Sequence, residues 1–316
     1  MTTKFKIGLD YGGTKIEGIL LDESGKEIKR KRFNYNQNYE TGVDVIKNLV
    51  QEFDQFAQTE CSVGVGIPGS SSQETGLVKN ANAIWLNNQP FQKDLEEILN
   101  RTIRIMNDAN CFTLSEAVDG AGSNYKSVFG IIIGSGLGSG LSFNKTIIEG
   151  ANQVAGDWGH QPLPYPTQDE VNANVECKVI NCQRPLCSER FLSGKGFAEN
   201  YNKKYQTELS SEEIVNLGLS GDQRANNELS LYEDRLARII SVMIGIFDPE
   251  AIILGGGMSN IDRFYNNIPK IIPKYTFSDK VRNNSIKIRV NFRKVTIKRK
   301  KETNDKIKKY VCIGIS

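Results

Sequence analysis

The sequence predicts an α/β protein made of two similar lobes, with a ligand cleft between them. A strand–turn–strand pattern opens the chain at residues 4–21 and occurs again at 128–143, about 120 residues later. Both turns are rich in glycine, and a third glycine turn follows the apolar segment 251–254. At 316 residues the chain is also long for one compact core. Clefts between lobes are where ligands usually bind, so the glycine turns are expected to face such a cleft.

The first lobe alternates strands and helices. Apolar periodicity predicts strands at 4–10, 15–21 and 26–33, a helix at 41–58, a strand at 62–67, a helix at 91–100, a strand at 102–106 and a helix at 109–121. The turn at 22–25 joins the second strand to the third. The helix at 91–100 is indicated by the helical spacing of its apolar residues.

The second lobe begins with the same pattern. We expect a strand at 128–133, a turn at 134–140, a resumed strand at 141–143, a long helix at 228–247, a strand at 251–254 and the third turn at 255–257. One apolar face defines the long helix: Tyr232, Leu236, Ile239, Ile240, Met243, Ile246 and Phe247. The predicted domains are residues 1–121, residues 122–290 and an atypical basic tail at 291–316.

Charge and composition exclude several classes of function. The formal net charge is +3, but residues 287–310 alone carry eleven lysines and arginines against two acidic residues, which leaves the remainder at −6. An acidic body argues against nucleic-acid binding, which needs a basic face. The sequence contains no apolar run long enough to span a bilayer and no signal peptide, so we expect a cytoplasmic protein without membrane contact.

The turn after the first strand could hold a phosphate. Asp10 ends that strand, and Gly12, Gly13, Thr14 and Lys15 follow it. Glycine lets backbone N–H groups approach a phosphate closely, and Asp10 could position a hydrated metal ion beside it. The alternative is an ordinary Gly-Gly hairpin, and this segment alone does not decide between the two.

The familiar nucleotide motifs do not fit. The glycine-rich segment 134–140 leads into a strand, whereas a Rossmann turn opens a helix. The P-loop pattern is absent from the sequence. His160 is the only histidine, and no His-Arg-Asp loop of a protein kinase is present.

Several segments together resemble the ROK family of bacterial sugar kinases and repressors, within the actin-like ATPase and sugar kinase superfamily. They are 7–15, 78–82, 85–87, 107–111, 158–160, 162–164 and 254–260, and the resemblance is greatest to the fructokinase/mannokinase branch. It implies an actin-like ATPase (ribonuclease H-like) fold, MgATP as the phosphate donor and a homodimer. The nucleotide would contact Asp10, Gly12, Gly13, Thr14, Lys15, Gly134, Ser135, Gly136, Gly138, Gly255, Gly256 and Gly257.

Asp108 is the candidate catalytic residue. It stands at a strand end where a helix begins, and from the residues alone the helix N-cap is the simpler interpretation. The resemblance instead implies a general base that takes the proton from a sugar hydroxyl as it attacks the γ-phosphate. It also implies a set of hexose-binding residues: Gly69, Asn82, Asn107, Asp157, His160 and Glu189. Asp157 departs from the family, whose kinases usually carry Glu there.

The remaining candidate is a metal site. His160, Cys177, Cys182 and Cys187 could form a Cys₃His site, a common geometry of structural zinc. The resemblance supports this, but the first cysteine is displaced and both glycines of the family pattern are replaced. A remnant without metal is the alternative.

Three functions follow, and we expect the first. It is a hexose kinase that converts fructose to fructose 6-phosphate. The second is a sugar- or nucleotide-binding protein of the same family with weak or lost activity. The third, a repressor, would need a helix-turn-helix domain before the first strand, where the given sequence has only about six residues.

Overall fold

The computed structural model describes residues 5–173, 175–177, 182–278 and 286–287 of the chain. The predicted basic tail at 291–316 lies outside the described residues. Within them the chain forms two compact units. Unit 1 contains residues 5–120 and 149–155, and unit 2 contains 121–148 and the described residues from 156 onward.

Unit 1 is built on a sheet in the order β3-β2-β1-β4-β7. Its strands are β1 (Lys6–Tyr11), β2 (Lys15–Leu21), β3 (Glu27–Asn34), β4 (Ser62–Ile67) and β7 (Ile103–Asn107), with β5 (Ser70–Ser71) and β6 (Val78–Lys79) as a separate pair. Its helices are α1 (Tyr39–Ala57), α2 (Phe91–Leu99) and α3 (Asp108–Val118). β1 pairs antiparallel with β2 and parallel with β4.

Unit 2 is built on a sheet in the order β10-β9-β8-β11-β12. Its strands are β8 (Ser127–Ile133), β9 (Leu137–Phe143), β10 (Thr146–Ile147), β11 (Ala251–Gly255) and β12 (Ile286–Lys287). Its helices are α4 (Gln168–Asn172), α5 (Ser188–Leu192), α6 (Gly194–Tyr205), α7 (Ser211–Leu219), α8 (Gln223–Phe247) and α9 (Asp262–Ile271). β8 pairs antiparallel with β9 and parallel with β11.

The two sheets repeat one topology. In each, the opening strand lies in the centre, the next strand returns antiparallel beside it, and a later strand joins parallel on the other side. Such parallel neighbours need a crossover, and helices supply it in both units. The strand–turn–strand repeat predicted from the sequence is therefore present in the fold.

Apolar periodicity positions the helices on these sheets. The buried face of α1 contributes Ile46, Val50 and Phe53 to the core of unit 1. In unit 2 the predicted face of α8 is buried from Tyr232 to Met243. Ile246 departs from that prediction with 76% of its surface exposed, whereas Phe247 beside it packs against the core.

Some predicted boundaries were wrong. β9 begins at Leu137 and not at 141, so the second glycine turn is only three residues long. α8 begins at Gln223, five residues before the predicted start, with Asp222 as its N-cap. The helices between 188 and 219 were not predicted, although the capping box of Ser210 and Glu213 marks one of them. Among the helices of the described residues, none combines the length and apolarity that a bilayer crossing requires.

Candidate functional site

The first glycine turn is a tight hairpin with an accessible tip. The Gly12 N–H donates to the Lys15 carbonyl (3.0 Å), which closes the turn between β1 and β2. Gly13 and Thr14 are exposed at the tip. The backbone here is therefore open to a ligand, as the phosphate interpretation requires.

Asp10 lies at the end of β1 among other charged groups. In the sheet register it stands beside Glu17 of β2 and Gly66 of β4. Gly66 has no side chain, and a Cβ there would lie 4.0 Å from the Asp108 Cα, so the start of α3 comes close to Asp10. Burial, the charge of Asp108 and the charge of Glu17 raise the pKa of Asp10 to about 8. The surroundings of Asp10 therefore disfavour its ionised form, and a proton or a bound cation would stabilise the carboxylate.

Asp108 is the first residue of α3, and it is not the N-cap. The cap is Asn107, whose side-chain oxygen accepts from the N–H groups of Ala109 (3.0 Å) and Asn110 (3.2 Å). An Oδ1 contact with the Ala109 N–H (2.7 Å) orients the Asp108 carboxylate. The simpler interpretation of Asp108 as a helix cap is therefore wrong, and its carboxylate lies at the positive end of the helix dipole.

Three predicted sugar-binding residues of unit 1 belong to one connected loop system. The Asn107 amide donates to the Gly69 carbonyl (3.1 Å), and the Asn82 N–H donates to the Pro68 carbonyl (3.2 Å). Both polar atoms of the Asn107 side chain are therefore used in hydrogen bonds within the fold. Asn82, in contrast, is exposed.

Asn87 holds this loop, a role that sequence reasoning missed. Its side chain accepts from the Ala81 N–H (2.8 Å) and donates to the Ala81 carbonyl (2.9 Å). The motif at 85–87 contained the signal, but only the structure shows what its asparagine binds.

In unit 2 the second and third glycine turns meet at the start of α6. The Gly134 N–H donates to the Gly136 carbonyl (3.0 Å), and the Gly194 N–H donates to the Gly134 carbonyl (2.8 Å). A Cβ on Gly194 would also lie 3.7 Å from Cγ of Met258, the residue after the turn at 255–257. The two turns predicted to bind nucleotide therefore flank one helix start.

Of the residues predicted to bind nucleotide in unit 2, Gly138 and Ser135 occupy different positions in the hairpin. Gly138 pairs with Ile132 inside the β8–β9 ladder, so it lies in the strand and not in the turn. Ser135 is exposed at the turn itself.

Glu189 connects the second glycine turn to the residues that precede His160. Its carboxylate accepts from the Leu137 N–H (3.1 Å), and its own N–H donates to the Gly159 carbonyl (2.8 Å). Gly159 lies so close that a Cβ there would be 2.0 Å from the Leu137 carbonyl oxygen. Glu189 and His160 are thus brought beside the second turn, whereas Asp157 is exposed.

The four predicted metal ligands converge. The His160 Nδ1 lies 3.5 Å from the Cys187 Sγ and 3.7 Å from the Cys177 Sγ, and the Cys182 Sγ lies 3.9 Å from the Cys187 Sγ. The ligand atoms of all four residues lie within 4.8 Å of one another. Tetrahedral zinc with ordinary bond lengths requires about 3.8 Å between sulfurs and about 3.6 Å between sulfur and nitrogen. The donor set and its spacing therefore fit zinc.

A buried ion cluster, which we call the clamp, anchors the loop that follows His160. The clamp consists of Glu170, Arg235 and Arg238. Arg238 donates to Glu170 (2.7 and 3.0 Å) and to the carbonyls of Pro164 (3.0 Å) and Tyr165 (2.7 Å). No motif signalled the clamp, because Glu170 and Arg235 lie 65 residues apart in sequence.

Comparison with known proteins identifies the family. The sequence profile of the ROK family matches residues 6–294. The chain belongs to the ROK family. It is 35% identical over 269 residues to an N-acetyl-D-glucosamine kinase of Yersinia pseudotuberculosis, covering 85% of this chain and 88% of the relative. The corresponding kinase of Mannheimia succiniciproducens is 37% identical over 270 residues, covering 85% and 89%.

Solved structures share the fold. A ROK hexokinase from Thermus thermophilus superposes with a TM-score of 0.74 at 21% identity, covering 86% of this chain and 88% of that one. A ROK glucokinase from Streptomyces griseus in complex with glucose and AMPPNP superposes with a TM-score of 0.73 at 23% identity, covering 90% and 93%. The predicted duplicated α/β fold of the actin-like class is thereby confirmed. The fructokinase branch is not supported, since none of these relatives is named for fructose.

Proposed function

We propose that this ROK protein transfers the γ-phosphate of MgATP to a hydroxyl of N-acetyl-D-glucosamine, with Asp108 as the general base. The observation that carries the proposal is the close approach of Asp10 and Asp108 beside an open glycine hairpin. Phosphoryl transfer needs a positioned metal–phosphate group and one base near the attacking hydroxyl. The two carboxylates match these two roles.

The proposal assigns a nucleotide contact to each of the three glycine segments. In this proposal the hairpin from Gly12 to Lys15 binds the phosphates, and Asp10 positions the hydrated Mg²⁺ that shields their charge. The turns at 134–136 and 255–257 accept the rest of the nucleotide in unit 2. The raised pKa of Asp10 supports its role, because a bound cation would keep that carboxylate ionised.

The sugar assignment comes from the relatives. Fructose, the substrate predicted from the resemblance, is not supported by the names of the curated relatives, which are N-acetyl-D-glucosamine kinases. Asn82, His160 and Glu189 remain the proposed hydroxyl-binding residues, with Gly69 allowing close approach. Asn107 holds the Gly69 loop. Asp157, shorter than the usual Glu and exposed, is expected to affect sugar affinity more than chemistry.

We propose zinc at His160, Cys177, Cys182 and Cys187. When bound, it would join Cys177, Cys182 and Cys187 to the histidine and lend rigidity to the segment that leads from Cys187 into Glu189. The thiol cluster reaches His160 through Nδ1, which leaves Nε2 for the sugar. The homodimer implied by the resemblance stays a prediction.

The first test is a coupled ADP-release assay with MgATP against N-acetylglucosamine, glucose, mannose and fructose. We expect turnover to be greatest with N-acetylglucosamine. Asp108→Asn should lower kcat by about 10²–10⁴-fold, the usual contribution of a general base. The control is Asp94→Asn, which also removes an acid from the first turn of a helix in unit 1 but leaves the site intact.

The outcomes of this assay test the base assignment, the activity and the sugar separately. Normal turnover of a folded Asp108→Asn variant would refute the base assignment. A folded, zinc-supplied protein that binds MgATP yet phosphorylates none of the sugars would establish the alternative, a binding protein with lost activity. Highest turnover with fructose would restore the fructokinase prediction.

The zinc proposal has its own test. Metal analysis of the purified protein should find about one zinc per chain, which Cys187→Ala should remove. Cys61→Ala is the matched control, since Cys61 is a buried thiol of unit 1 outside the cluster. A metal-free preparation with full activity after chelation would contradict the proposal.

A further inference from the structure

The geometry points to Tyr35 as a positioning residue that aims the backbone of the glycine hairpin at the phosphates. This inference rests on the proposed function, in which that hairpin binds MgATP. Tyr35 follows β3 directly, and in the sheet register the last residue of β3, Asn34, stands opposite Lys15 at the hairpin. The Tyr35 hydroxyl donates to the Gly12 carbonyl at 3.0 Å.

This hydrogen bond fixes the direction of a whole peptide plane. The peptide bond between Gly12 and Gly13 is planar and trans, so its carbonyl and its N–H point in opposite directions. Tyr35 holds the carbonyl toward its aromatic neighbours. The Gly13 N–H is therefore turned away from them at the exposed tip, where a phosphate oxygen could accept it.

The backbone freedom of Gly12 and Gly13 gives the Tyr35 hydrogen bond its purpose. Two adjacent glycines leave the hairpin tip free to sample many backbone conformations, and ordering them costs conformational entropy. Within the part of the chain that the structure describes, the Gly13 N–H donates no hydrogen bond. An outside contact on the Gly12 carbonyl selects one orientation of the tip before the nucleotide arrives, which improves binding by preorganisation.

The Tyr35 hydroxyl is itself held in place by an aromatic cluster. Its ring meets Tyr11 edge-on at 5.4 Å between centroids and Trp85 at 6.2 Å. The Trp85 Nε1–H donates to the Tyr11 hydroxyl (3.0 Å), and Tyr11 is completely buried. Gly42 of α1 makes room for that hydroxyl, since a Cβ there would lie 2.0 Å from it.

The protonation state of Tyr35 supports the role. Burial raises the pKa of Tyr35 well above its ordinary value, as does its hydroxyl neighbour Tyr11. The hydroxyl therefore keeps its proton at any working pH and remains a donor to the carbonyl.

The test is Tyr35→Phe, which removes one hydroxyl and keeps the ring. We expect the KM for MgATP to rise by about 3–10-fold, the effect of one lost hydrogen bond. The KM for the sugar and the kcat should change by less than about 2-fold, because the contact acts on bound phosphate in the ground state and transition state alike.

Tyr39→Phe is the matched control. Tyr39 packs edge-on against Phe91, with 6.1 Å between the ring centroids, and its hydroxyl donates to Asp94 (2.6 Å) instead of the hairpin. The chemical change is the same in both variants. Tyr39→Phe should leave the KM for MgATP at the wild-type value.

Two readouts besides turnover complete the experiment. Calorimetric titration with a non-hydrolysable ATP analogue and Mg²⁺ should show the same weakening of about 3–10-fold in Tyr35→Phe. Amide exchange of peptides that contain residues 12–14 should be faster than in wild type before the analogue is added.

The outcomes separate this inference from the proposed function. Wild-type affinity for the analogue in Tyr35→Phe, or equal weakening in Tyr39→Phe, would overturn the inference while the kinase assignment stands. A wild-type protein that neither binds the analogue nor turns over ATP would overturn the proposed function, and the inference with it.

Discussion

Asp10 in unit 1 and Glu170 in unit 2 are acidic side chains in opposite electrostatic settings. Asp10 has Asp108 and Glu17 as neighbours, and burial with these charges raises its pKa to about 8. Burial also acts to raise the pKa of Glu170, but hydrogen bonds from Arg238 and Arg235 outweigh it and lower that pKa to about 2. Near neutral pH, Asp10 therefore destabilises the ligand-free protein, whereas Glu170 stabilises it.

The difference separates a binding site from its scaffold. A charge that the fold satisfies completely has no capacity left for a ligand, and the clamp around Glu170 only holds the loop after His160 in place. The Asp10 charge is satisfied only in part, by Lys15 and Arg32, so it retains attraction for a cation. Perturbed carboxylates of this kind are typical of functional sites.

The largest effect is expected when the clamp is broken. Arg238→Met roughly keeps the volume but leaves Glu170, which is 4% exposed, with only Arg235 as its charged partner. We expect a loss of about 3–5 kcal/mol in the free energy of unfolding, as for other buried pairs that lose one partner. Urea unfolding measures it.

A double variant tests whether the charge is the cause. Glu170→Gln together with Arg238→Met should recover part of the loss, because no uncompensated charge remains. In wild type, the stabilisation from Glu170 is complete above its unfolded pKa of 4.5 and disappears as the pH falls toward 2. Arg238→Met with wild-type stability would show that the clamp is dispensable.

An intermediate effect of the opposite sign is expected at Asp10. The folded pKa lies above the unfolded value of 3.8, so the contribution of Asp10 to stability is greatest below about pH 4 and declines as the pH rises through 8. The Asp10→Asn variant carries no charge at this position. It should raise the free energy of unfolding of the ligand-free protein by about 1–3 kcal/mol near pH 8.5 while it abolishes efficient turnover.

The pH dependence supplies the control. Near pH 4 the wild-type protein and the Asp10→Asn variant should unfold at similar urea concentrations, because the folded protein then carries no charge at residue 10 in either case. Asp44→Asn, at an exposed position of α1, should change neither value. An Asp10→Asn variant that is less stable than wild type near pH 8.5 would show that Asp10 is structural.

The smallest effect is expected at Glu17, a neighbour of Asp10. Glu17 is 2% exposed and is held by Arg30 and Arg32, and its charge raises the pKa of Asp10. Glu17→Gln should therefore lower that pKa and move the acid limb of kcat/KM for MgATP to lower pH by about 0.5–1 unit.

Glu52 offers a matched control for Glu17. It is bound by Lys29 and Lys31 (2.6 Å each), which alternate with the two arginines along β3 and so lie on the opposite face of the sheet. Glu52→Gln should leave the acid limb unchanged. Equal pH profiles for both variants would mean that Glu17 serves only to hold the sheet.

Much of the fold follows from local pattern. The strands of both units alternate or run apolar between turn residues, and each predicted glycine segment contains a turn, although the second turn ends at 136 and Gly255 belongs to β11. The boundaries of β9 and α8 were wrong because glycine and polar residues there are ambiguous by themselves, and strand pairing and the Asp222 cap resolve them.

The candidate site was predictable as a list of residues but not as an arrangement. Asp10, Asp108, His160 and the three cysteines are visible in the sequence because their side-chain chemistry is distinctive. Asn107 as the helix cap, Asn87 as the loop anchor and the clamp at Glu170 were not, because each depends on partners brought together by folding.

The sequence by itself determined the repeated α/β pattern, the glycine turns and the chemical groups available to them. Backbone preference and hydrophobic periodicity act over a few residues, so they can be read along the chain. Only the tertiary structure decided which charges surround Asp10, which hydroxyl holds Gly12 and which arginines neutralise Glu170. Electrostatic and hydrogen-bond energies depend on distance in space and on burial, and neither quantity exists until the chain is folded.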